Sequence, residues 1–373
     1  MTFKTIKEIS INNKGYYGIG ASSCKFDSSF PSYLRITDIT DDGCISHPLK
    51  TCINTTIYPN WNKYLLKEND IVFARTGSVG RNYFCNRLDR QTVFAGFLIK
   101  FSINKDLINP RYVAYYCQSN NYWNQIKSLF TGTTRPNINA EQYNLLKIPL
   151  FDQDIQQHIV NTIGTIDDLI ECNQKFLLNF QVLLSIKFKE YCSIIKDKNN
   201  LSFFIFRTGK SLKKREWIQS DVIDLSTMPY NSIFIENFSK GVNFATNIKT
   251  IGLNDLIYGS IRPYFKKAGF NWKTNYVVGS VFSFNVINEN NYLWILATIC
   301  SEDFHNFTNR NSYGTKMPII NWETFVSYKL PYSKREVKSF VKIMKPLFDL
   351  AVTKLKQNHQ LKIIKNNLLK KYF

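Results

Sequence analysis

One block of residues occurs twice in this 373-residue chain, and this repeat constrains the fold more than any other sequence feature. Residues 132–149, which read GTTRPNINAEQYNLLKIP, align with residues 314–331 at a constant offset of 182 in residue number. Upstream, the run NDIVFARTG from Asn69 corresponds to NDLIYGSIR from Asn254. An internal repeat of this length predicts two copies of one structural unit.

A long stretch with helical periodicity follows each copy of the block. In residues 151–196 and again in residues 332–373, apolar side chains recur at steps of three and four positions. The apolar positions are Ile163, Ile166, Ile170, Leu177, Phe180, Leu184 and Tyr191 in the first stretch, and Val337, Val341, Met344, Phe348, Ala351, Leu355, Leu361, Ile364 and Leu368 in the second. A helix of roughly 40 residues is on the order of 60 Å long and cannot bury such a stripe alone, so we expect the two helices to pair.

These patterns predict an α+β fold with a pseudo-twofold internal repeat. Two similar mixed α/β domains are expected at 1–150 and 197–331. They are expected to be separated by two long antiparallel helices, a central one within 151–196 and a C-terminal one within 332–373, which form an intramolecular coiled coil.

The first copy is predicted to combine short strands with a helix. The segments Tyr33–Ile36, Ile71–Ala74 and Phe94–Phe101 are rich in aromatic and β-branched residues, as is typical of strands. Pro110–Leu129 has a proline in its first turn and aromatic residues broadly on one side, which predicts a single helix. We interpret these aromatic side chains as part of the core and not as a base-stacking platform.

The net charge of +20, with a pI near 9.5, indicates a polyanionic or acidic partner. The charge is unevenly distributed between the two long stretches. Residues 152–196 carry 4 Lys and Arg against 6 Asp and Glu, whereas residues 333–373 carry 11 against 2. This opposite charge favours pairing of the two helices within one chain.

The eight cysteines contain no CxxC pair, and the N-terminal sequence MTFKTIKEIS has no apolar signal-peptide core. Reduced thiols and a cytoplasmic location are therefore expected, without a zinc site. The longest apolar runs are too short to span a membrane, so no membrane association is expected.

The sequence contains no pattern typical of a catalytic site. A DNA methyltransferase needs a Gly-rich cofactor loop after a strand and an Asn-Pro-Pro-aromatic motif, and the chain has neither. A metal-dependent nuclease needs paired carboxylates with a Glu-x-Lys arrangement, and no such cluster stands out. We therefore expect no catalytic residue, no metal and no cofactor bound by this chain.

Loops of both copies carry side chains suited to DNA contact. In the first copy an arginine, two hydroxyls and exposed backbone amides follow a strand, a combination that suits phosphate clamping or bidentate reading of guanine. The alternative interpretation is that the glycines only make turns and that their neighbours are solvated. The candidate DNA-binding residues are Arg75, Thr76, Gly77, Ser78, Arg81, Thr133, Thr134 and Arg135 in the first copy, and Lys213, Lys214, Ser260, Arg262, Tyr264, Lys266, Thr315 and Lys316 in the second.

Several of these motifs resemble the specificity subunit of type I restriction-modification systems. The resemblance lies in the run from Asp70 to Gly77, the Gly-Thr-Thr-Arg-Pro turn at 132–136, the Ile-Pro-Leu at 148–150 and the Gln-rich start of the long stretch after it. The run YLRITDITDDGCI from Tyr33 resembles the early part of a target recognition domain. The second copy departs from this pattern, with YGSIRP and KREVKSF at the corresponding places.

The resemblance implies a non-catalytic DNA-recognition subunit that reads a bipartite, asymmetric site in double-stranded DNA. It implies two modification (methyltransferase) subunits as partners, each bringing S-adenosylmethionine, together with restriction (helicase-nuclease) subunits. The long helices would then set the gap between the two half-sites, because rigid geometry determines half-site separation.

Two functions of other classes remain as alternatives. One is a self-contained DNA methyltransferase or nuclease, which binding of a methyl donor by the purified chain would indicate. The other is a coiled-coil scaffold that binds only protein, which an absence of DNA binding with the methyltransferase partners present would indicate.

Overall fold

The computed structural model describes residues 2–40, 43–45, 49–129, 136–212 and 216–373. The chain forms two compact units. The first unit contains Met1–Asp168 and Ile363–Phe373, and the second contains Leu169–Lys362. Each of the two long helices therefore contributes residues to both units.

Twenty strands and eight α-helices occur within the described residues. The strands are β1 (Thr2–Thr5), β2 (Tyr16–Tyr17), β3 (Cys24–Lys25), β4 (Ser32–Leu34), β5 (Thr51–Cys52), β6 (Asp70–Ala74), β7 (Asn82–Phe84), β8 (Thr92–Phe94), β9 (Leu98–Ser102), β10 (Lys147–Leu150), β11 (Lys198–Asn200), β12 (Ile205–Arg207), β13 (Asp221–Val222), β14 (Ser239–Lys240), β15 (Ile248–Thr250), β16 (Leu256–Gly259), β17 (Ala268–Phe270), β18 (Tyr276–Val278), β19 (Val281–Val286) and β20 (Lys329–Pro331). The helices are α1 (Pro110–Tyr116), α2 (Asn120–Leu129), α3 (Ala140–Asn144), α4 (Gln153–Ile194), α5 (Tyr292–Ile299), α6 (Glu302–Arg310), α7 (Trp322–Val326) and α8 (Lys334–Tyr372).

The strand order confirms the internal repeat. The first unit has a four-stranded sheet in the order β2-β9-β6-β7, and the second has the equivalent sheet β12-β19-β16-β17. Each unit also has a two-stranded antiparallel ladder between its first and last strands, β1 with β10 and β11 with β20. The remaining strands differ, because β3-β5-β4-β8 form one sheet whereas β13-β14 and β15-β18 form two.

The repeated Asn-Asp motif has a structural explanation. Asn69 and Asn254 have φ angles of 68° and 66°, a left-handed conformation that asparagine tolerates better than most residues. The next residue is buried in both units, and its carboxylate accepts a backbone N–H three residues upstream: Lys67 at 2.8 Å for Asp70, and Gly252 at 2.9 Å for Asp255. The motif therefore builds the turn that enters an inner strand of each sheet, β6 or β16.

Two predicted elements of the first copy were wrong in extent. The single strand expected over Phe94–Phe101 is two strands, β8 and β9, separated by a turn closed by a bond from the Leu98 amide to the Ala95 carbonyl. The single helix expected over Pro110–Leu129 is α1 followed by α2. The break lies at residues 117–119, where the Ser119 hydroxyl accepts the Tyr122 amide of the new first turn.

The aromatic residues of α1 are buried in the core, as predicted. Tyr112, Tyr115 and Tyr116 belong to a hydrophobic cluster that also contains Ile159 and Leu369 from the long helices. The second unit has a larger cluster, in which Leu177 to Phe188 of α4, the α5 residues and Val337 to Leu355 of α8 pack on the β12-β19-β16-β17 sheet.

The long helices α4 and α8 run antiparallel, as the contacts within the second unit show. The rings of Phe188 and Phe340 lie 6.2 Å apart and those of Phe180 and Phe348 lie 6.0 Å apart. Asn173, further towards the start of α4, bonds Asn358 further towards the end of α8. The predicted coiled coil is therefore confirmed.

The repeat offset changes by one residue where the helices begin. The first helical amide bonds run from Gln156 to the Asp152 carbonyl and from Val337 to the Ser333 carbonyl, which corresponds to an offset of 181 instead of 182. The end of the predicted second stripe is also different from expectation. Ile364 is 47% exposed, and Lys365 occupies the buried position instead, at 9%.

We predict that Leu177→Asp destabilises the second unit. Leu177 is 4% exposed and lies in the seam, by which we mean the apolar interface between α4 and α8. The substitution therefore loses apolar packing worth about 2–5 kcal/mol and also buries a charge. Leu178→Asp is the matched control, because the adjacent side chain is 52% exposed and the change should stay within about 0.5 kcal/mol. Denaturant unfolding of the full chain measures both. An equal free energy of unfolding for the two variants would contradict the burial of Leu177 between α4 and α8.

His305 predicts a pH dependence of the second unit. Burial, with a contribution from Lys266, lowers the pKa of His305 from 6.5 to about 4, and its Nδ1 lies 3.2 Å from the Tyr258 hydroxyl. As the pH falls below 6.5, His305 becomes protonated in the unfolded chain but stays neutral in the folded chain. The free energy of unfolding should therefore decrease as the pH falls from 6.5 to about 4. The loss should be on the order of 3 kcal/mol. His305→Gln should remove this part of the pH dependence, and the exposed His158→Gln should retain it.

Candidate nucleic-acid interface

The candidate loop of the first unit follows β6 and is held through its backbone. The Arg75 amide donates to the Phe97 carbonyl at 3.0 Å, and the Arg75 carbonyl accepts the Ile138 amide at 2.8 Å. Thr76 forms an antiparallel bridge with Asn137. These bonds join the loop after β6 to the described segment 136–139 before α3. The second polar loop expected from the sequence, at residues 133–135, lies outside the described residues.

Buried tyrosines fix the far side of this loop. The Tyr143 hydroxyl donates to the Ala74 carbonyl at 2.7 Å and accepts the Gly80 amide at 3.2 Å, while the Tyr122 hydroxyl donates to the Gly80 carbonyl at 2.6 Å. Burial raises the pKa of Tyr143 above its ordinary value, so the hydroxyl keeps its proton. Gly80 has a φ of 86°, and a Cβ there would lie 2.7 Å from Ile126. The conformation and the close approach both require glycine.

The side chains presented by the loop are a guanidinium and two small hydroxyls. The Arg75 guanidinium lies 5.0 Å from the centroid of the Tyr17 ring, and its Nε donates to Asn137 Oδ1 at 3.4 Å. Stacking on a ring orients the planar group and leaves other N–H donors for a ligand. Thr76 and Ser78 are half-buried and Gly77 is exposed, with open space around its Cα. Arg81 differs from Arg75, since its Nη1 donates to the Ile39 carbonyl at 3.3 Å and so supports the neighbouring loop.

The second unit has the same backbone construction at the corresponding place. The Ser260 carbonyl accepts the Ile320 amide at 3.0 Å, as Arg75 accepts Ile138, and Ile261 bridges Ile319 as Thr76 bridges Asn137. The loop after β16 therefore meets the segment before α7. Thr315 and Lys316 lie exposed in that segment.

The side chains of this second loop differ from those of the first. Ser260 is buried, and its hydroxyl donates to the Ser280 carbonyl at 2.7 Å. Arg262 adopts a φ of 52°, and its amide donates to the Pro318 carbonyl at 2.7 Å. Tyr264 is 43% exposed and its ring lies 4.7 Å from that of Phe265. Lys266 pairs with Glu302, so part of its charge is already neutralised.

In each unit the loop after β6 or β16 thus meets the segment before a short helix, at equivalent positions. Residues 2–179 of the chain match the family model of the type I restriction modification DNA specificity domain.

This part of the chain is similar to that family.

The matched specificity domain comprises the first copy and the first part of α4. Among solved structures, the S subunit of a type I restriction-modification system from M. genitalium is similar over 100% of this chain and 96% of its own length, with 16% sequence identity and a TM-score of 0.58. The HsdS subunit from Thermoanaerobacter tengcongensis aligns over 100% of this chain and 96% of its own, with 13% identity and a TM-score of 0.37. The first of these establishes the shared fold over both copies.

Part of the candidate set lies outside the described residues of the specificity domain and its repeat. These candidates are Thr133, Thr134, Arg135, Lys213 and Lys214. Of the others, the structure brings Arg75, Thr76, Gly77 and Ser78 together in one unit, and Ser260 and Arg262 beside the segment with Thr315 and Lys316 in the other. Their contact with DNA stays a prediction.

Sequence reasoning missed aromatic residues beside these loops. Tyr17, which is 42% exposed, supports Arg75, and its hydroxyl accepts the Ala140 amide at 3.0 Å. In the second unit Phe265 and Tyr313 are 39% and 59% exposed near Arg262. Tyr17 belongs to a two-residue strand far from the loop in sequence, and no periodic pattern marks it.

The described part of the chain contains no cluster of three or more His, Cys, Asp or Glu residues able to hold a metal ion. Among the same residues, no helix combines the length and the apolar character that crossing a membrane requires.

Proposed function

We propose that this chain is the DNA-recognition subunit of a type I restriction-modification complex, and that each unit reads one half of a bipartite site in double-stranded DNA. The observation that carries the proposal is the repeated loop surface. The Arg75–Ile138 and Ser260–Ile320 backbone bonds place a polar loop against the segment before a short helix in both units. The family of the first copy, a DNA specificity domain, supports DNA as the ligand.

The half-sites should differ in sequence. In the first unit the loop offers a ring-supported guanidinium with Thr76 and Ser78, and such a guanidinium suits bidentate contact with guanine or phosphate. In the second unit the positions equivalent to Arg75, Thr76 and Ser78 are Ser260, Ile261 and Pro263, and the serine hydroxyl is already bonded within the protein. Two similar frames with different side chains should recognise an asymmetric target.

The catalytic activities are assigned to partner subunits. Two modification subunits should dock on the two copies and bring S-adenosylmethionine, and restriction subunits should complete the nuclease in the cytoplasm. The net charge of +20 suits a complex that holds DNA. Both α4 and α8 contribute residues to each unit. The length of this helix pair should therefore determine the gap between the half-sites.

Arg75→Ala should weaken DNA binding by the assembled complex by about 1–3 kcal/mol, since one guanidinium contact is lost. Arg87→Ala is the matched control, because Arg87 is also an arginine of the first unit and its side chain is 82% exposed beside Asp89. Fluorescence titration of a labelled duplex would measure both. Equal affinities for the two variants would remove Arg75 from the interface.

Exchange of residues 1–150 for the corresponding domain of a related specificity subunit should change one half of the methylated site and leave the other half unchanged. The physical reason is that each unit has its own core and its own loop surface. Sequencing of methylated DNA from cells that carry the hybrid and its methyltransferase would identify both halves. A change in both halves would contradict independent reading, and an absence of site-specific methylation in the parent complex would refute the proposed function itself.

A further inference from the structure

A buried polar pair interrupts the apolar seam between α4 and α8. Asn173 and Asn358 are each 1% exposed, and Asn173 Nδ2 donates to Asn358 Oδ1 at 2.8 Å. Asn173 Nδ2 also lies 3.0 Å from Gln357 Oε1, and Asn358 Nδ2 lies 3.4 Å from the Ile170 carbonyl. Among the described residues, Asn173 Oδ1 has no hydrogen-bond partner. Leucine at both positions would avoid this loss, so the pair is not explained by stability.

A second polar pair lies on the same two helices within the first unit. Lys365 Nζ contacts Asp167 Oδ1 at 2.7 Å, with 11% of the lysine side chain and 28% of the aspartate side chain exposed. The lysine nitrogen also lies 5.7 Å from the centroid of the Tyr115 ring. A charged pair at this depth is satisfied only when both members are opposite each other.

The internal repeat creates a competing arrangement that these pairs disfavour. At the helical offset of 181, buried positions of α4 coincide with buried positions of α8, so one helix has the shape to replace the other. The coincident buried pairs are Ile163 and Met344, Ile170 and Ala351, Leu177 and Asn358, and Leu184 and Lys365. Two copies of the chain could therefore associate through α4 with α4, or through α8 with α8.

In such like-with-like pairs, the polar side chains lose their partners. Applying the offset of 181, Asn173 would face Leu177 of the second copy and Asp167 would face Leu184. In the α8 pair, Asn358 would face Lys354 and Lys365 would face Phe348. A single buried polar position is known to select partner and register in helix pairs, at a cost in stability.

We propose that the Asn173–Asn358 and Asp167–Lys365 pairs select pairing of α4 with α8, in one register, over pairing of α4 with α4 or of α8 with α8 from two copies of the chain. The selection acts by penalty: Asn173 Nδ2 and Lys365 Nζ have partners on the other helix in the α4–α8 pair, and they lose these partners in the competing pairs. This inference goes beyond the proposed function and does not depend on DNA binding.

The test is co-expression of two differently tagged copies of the full chain, followed by purification through one tag. The parent should retain little of the second copy. Asn173→Leu with Asn358→Leu should retain roughly tenfold more, which corresponds to about 1.4 kcal/mol of lost discrimination, and its Tm should be at or above that of the parent. Asn179→Leu with Asn366→Leu is the control, since these asparagines are exposed on the same helices and the change adds equal apolar surface. The control should behave as the parent.

The single variant Asn358→Leu separates loss of selection from loss of stability. It leaves Asn173 opposite a leucine in the intrachain pair as well, so mixing should rise while Tm falls below that of the parent. The proposal would be overturned if the double variant retained no more of the second copy than the parent does. A parent chain that already mixes freely would overturn it equally.

Discussion

Burial of aromatic rings along α4 and α8 is the interaction on which the packing of the second unit depends. The Phe180 ring lies 6.0 Å from Phe348 of the partner helix and 6.1 Å from Phe234, and Phe348 lies 5.2 Å from Phe270 of β17. The same rings therefore join helix to helix and helix to sheet. Because each aromatic side chain buries a large apolar area, separating the helix pair would also expose the face of the domain. The helices act as part of the core and not as an attached linker.

Much of this architecture can be predicted from sequence, because its signals are periodic or repeated. The apolar stripe predicted a helix within residues 151–196, and α4 begins at Gln153 and ends at Ile194. The Asn-Asp motif was recognisable because the same buried carboxylate and left-handed asparagine serve both copies. The prediction failed where one side chain decides the outcome, as at Ser119, whose hydroxyl starts a new helix. It failed again near the end of α8, where Ile363 and Ile364 are apolar and yet exposed whereas Lys365 is buried. Hydrophobicity alone therefore placed the wrong residue on the buried side of the helix.

The candidate surfaces were less predictable, because their supports come from distant parts of the chain. The loop after β6 could be recognised as polar and glycine-containing. Nothing in the sequence indicated that Tyr143 would bond both the Ala74 carbonyl and the Gly80 amide, or that Tyr17 would lie under Arg75. Such contacts join residues more than fifty positions apart and leave no local pattern. Sequence reasoning therefore located the loop and not the side chains that position it.

The two surfaces also show why the frame of a repeated domain persists while its side chains diverge. The bonds that join each loop to the segment before the short helix are between backbone groups, so they place no demand on residue type. The second unit has Ser260 where the first has Arg75, and the backbone bonds to the segment before the short helix are the same. The supports do depend on residue type: Tyr143 uses its hydroxyl in the first unit, whereas Phe325 at the equivalent position has none and packs against Tyr258 at 5.1 Å. Each unit thus keeps a common backbone at the surface and stabilises it with its own core. Under the proposed function, this separation would allow the two half-sites to change independently.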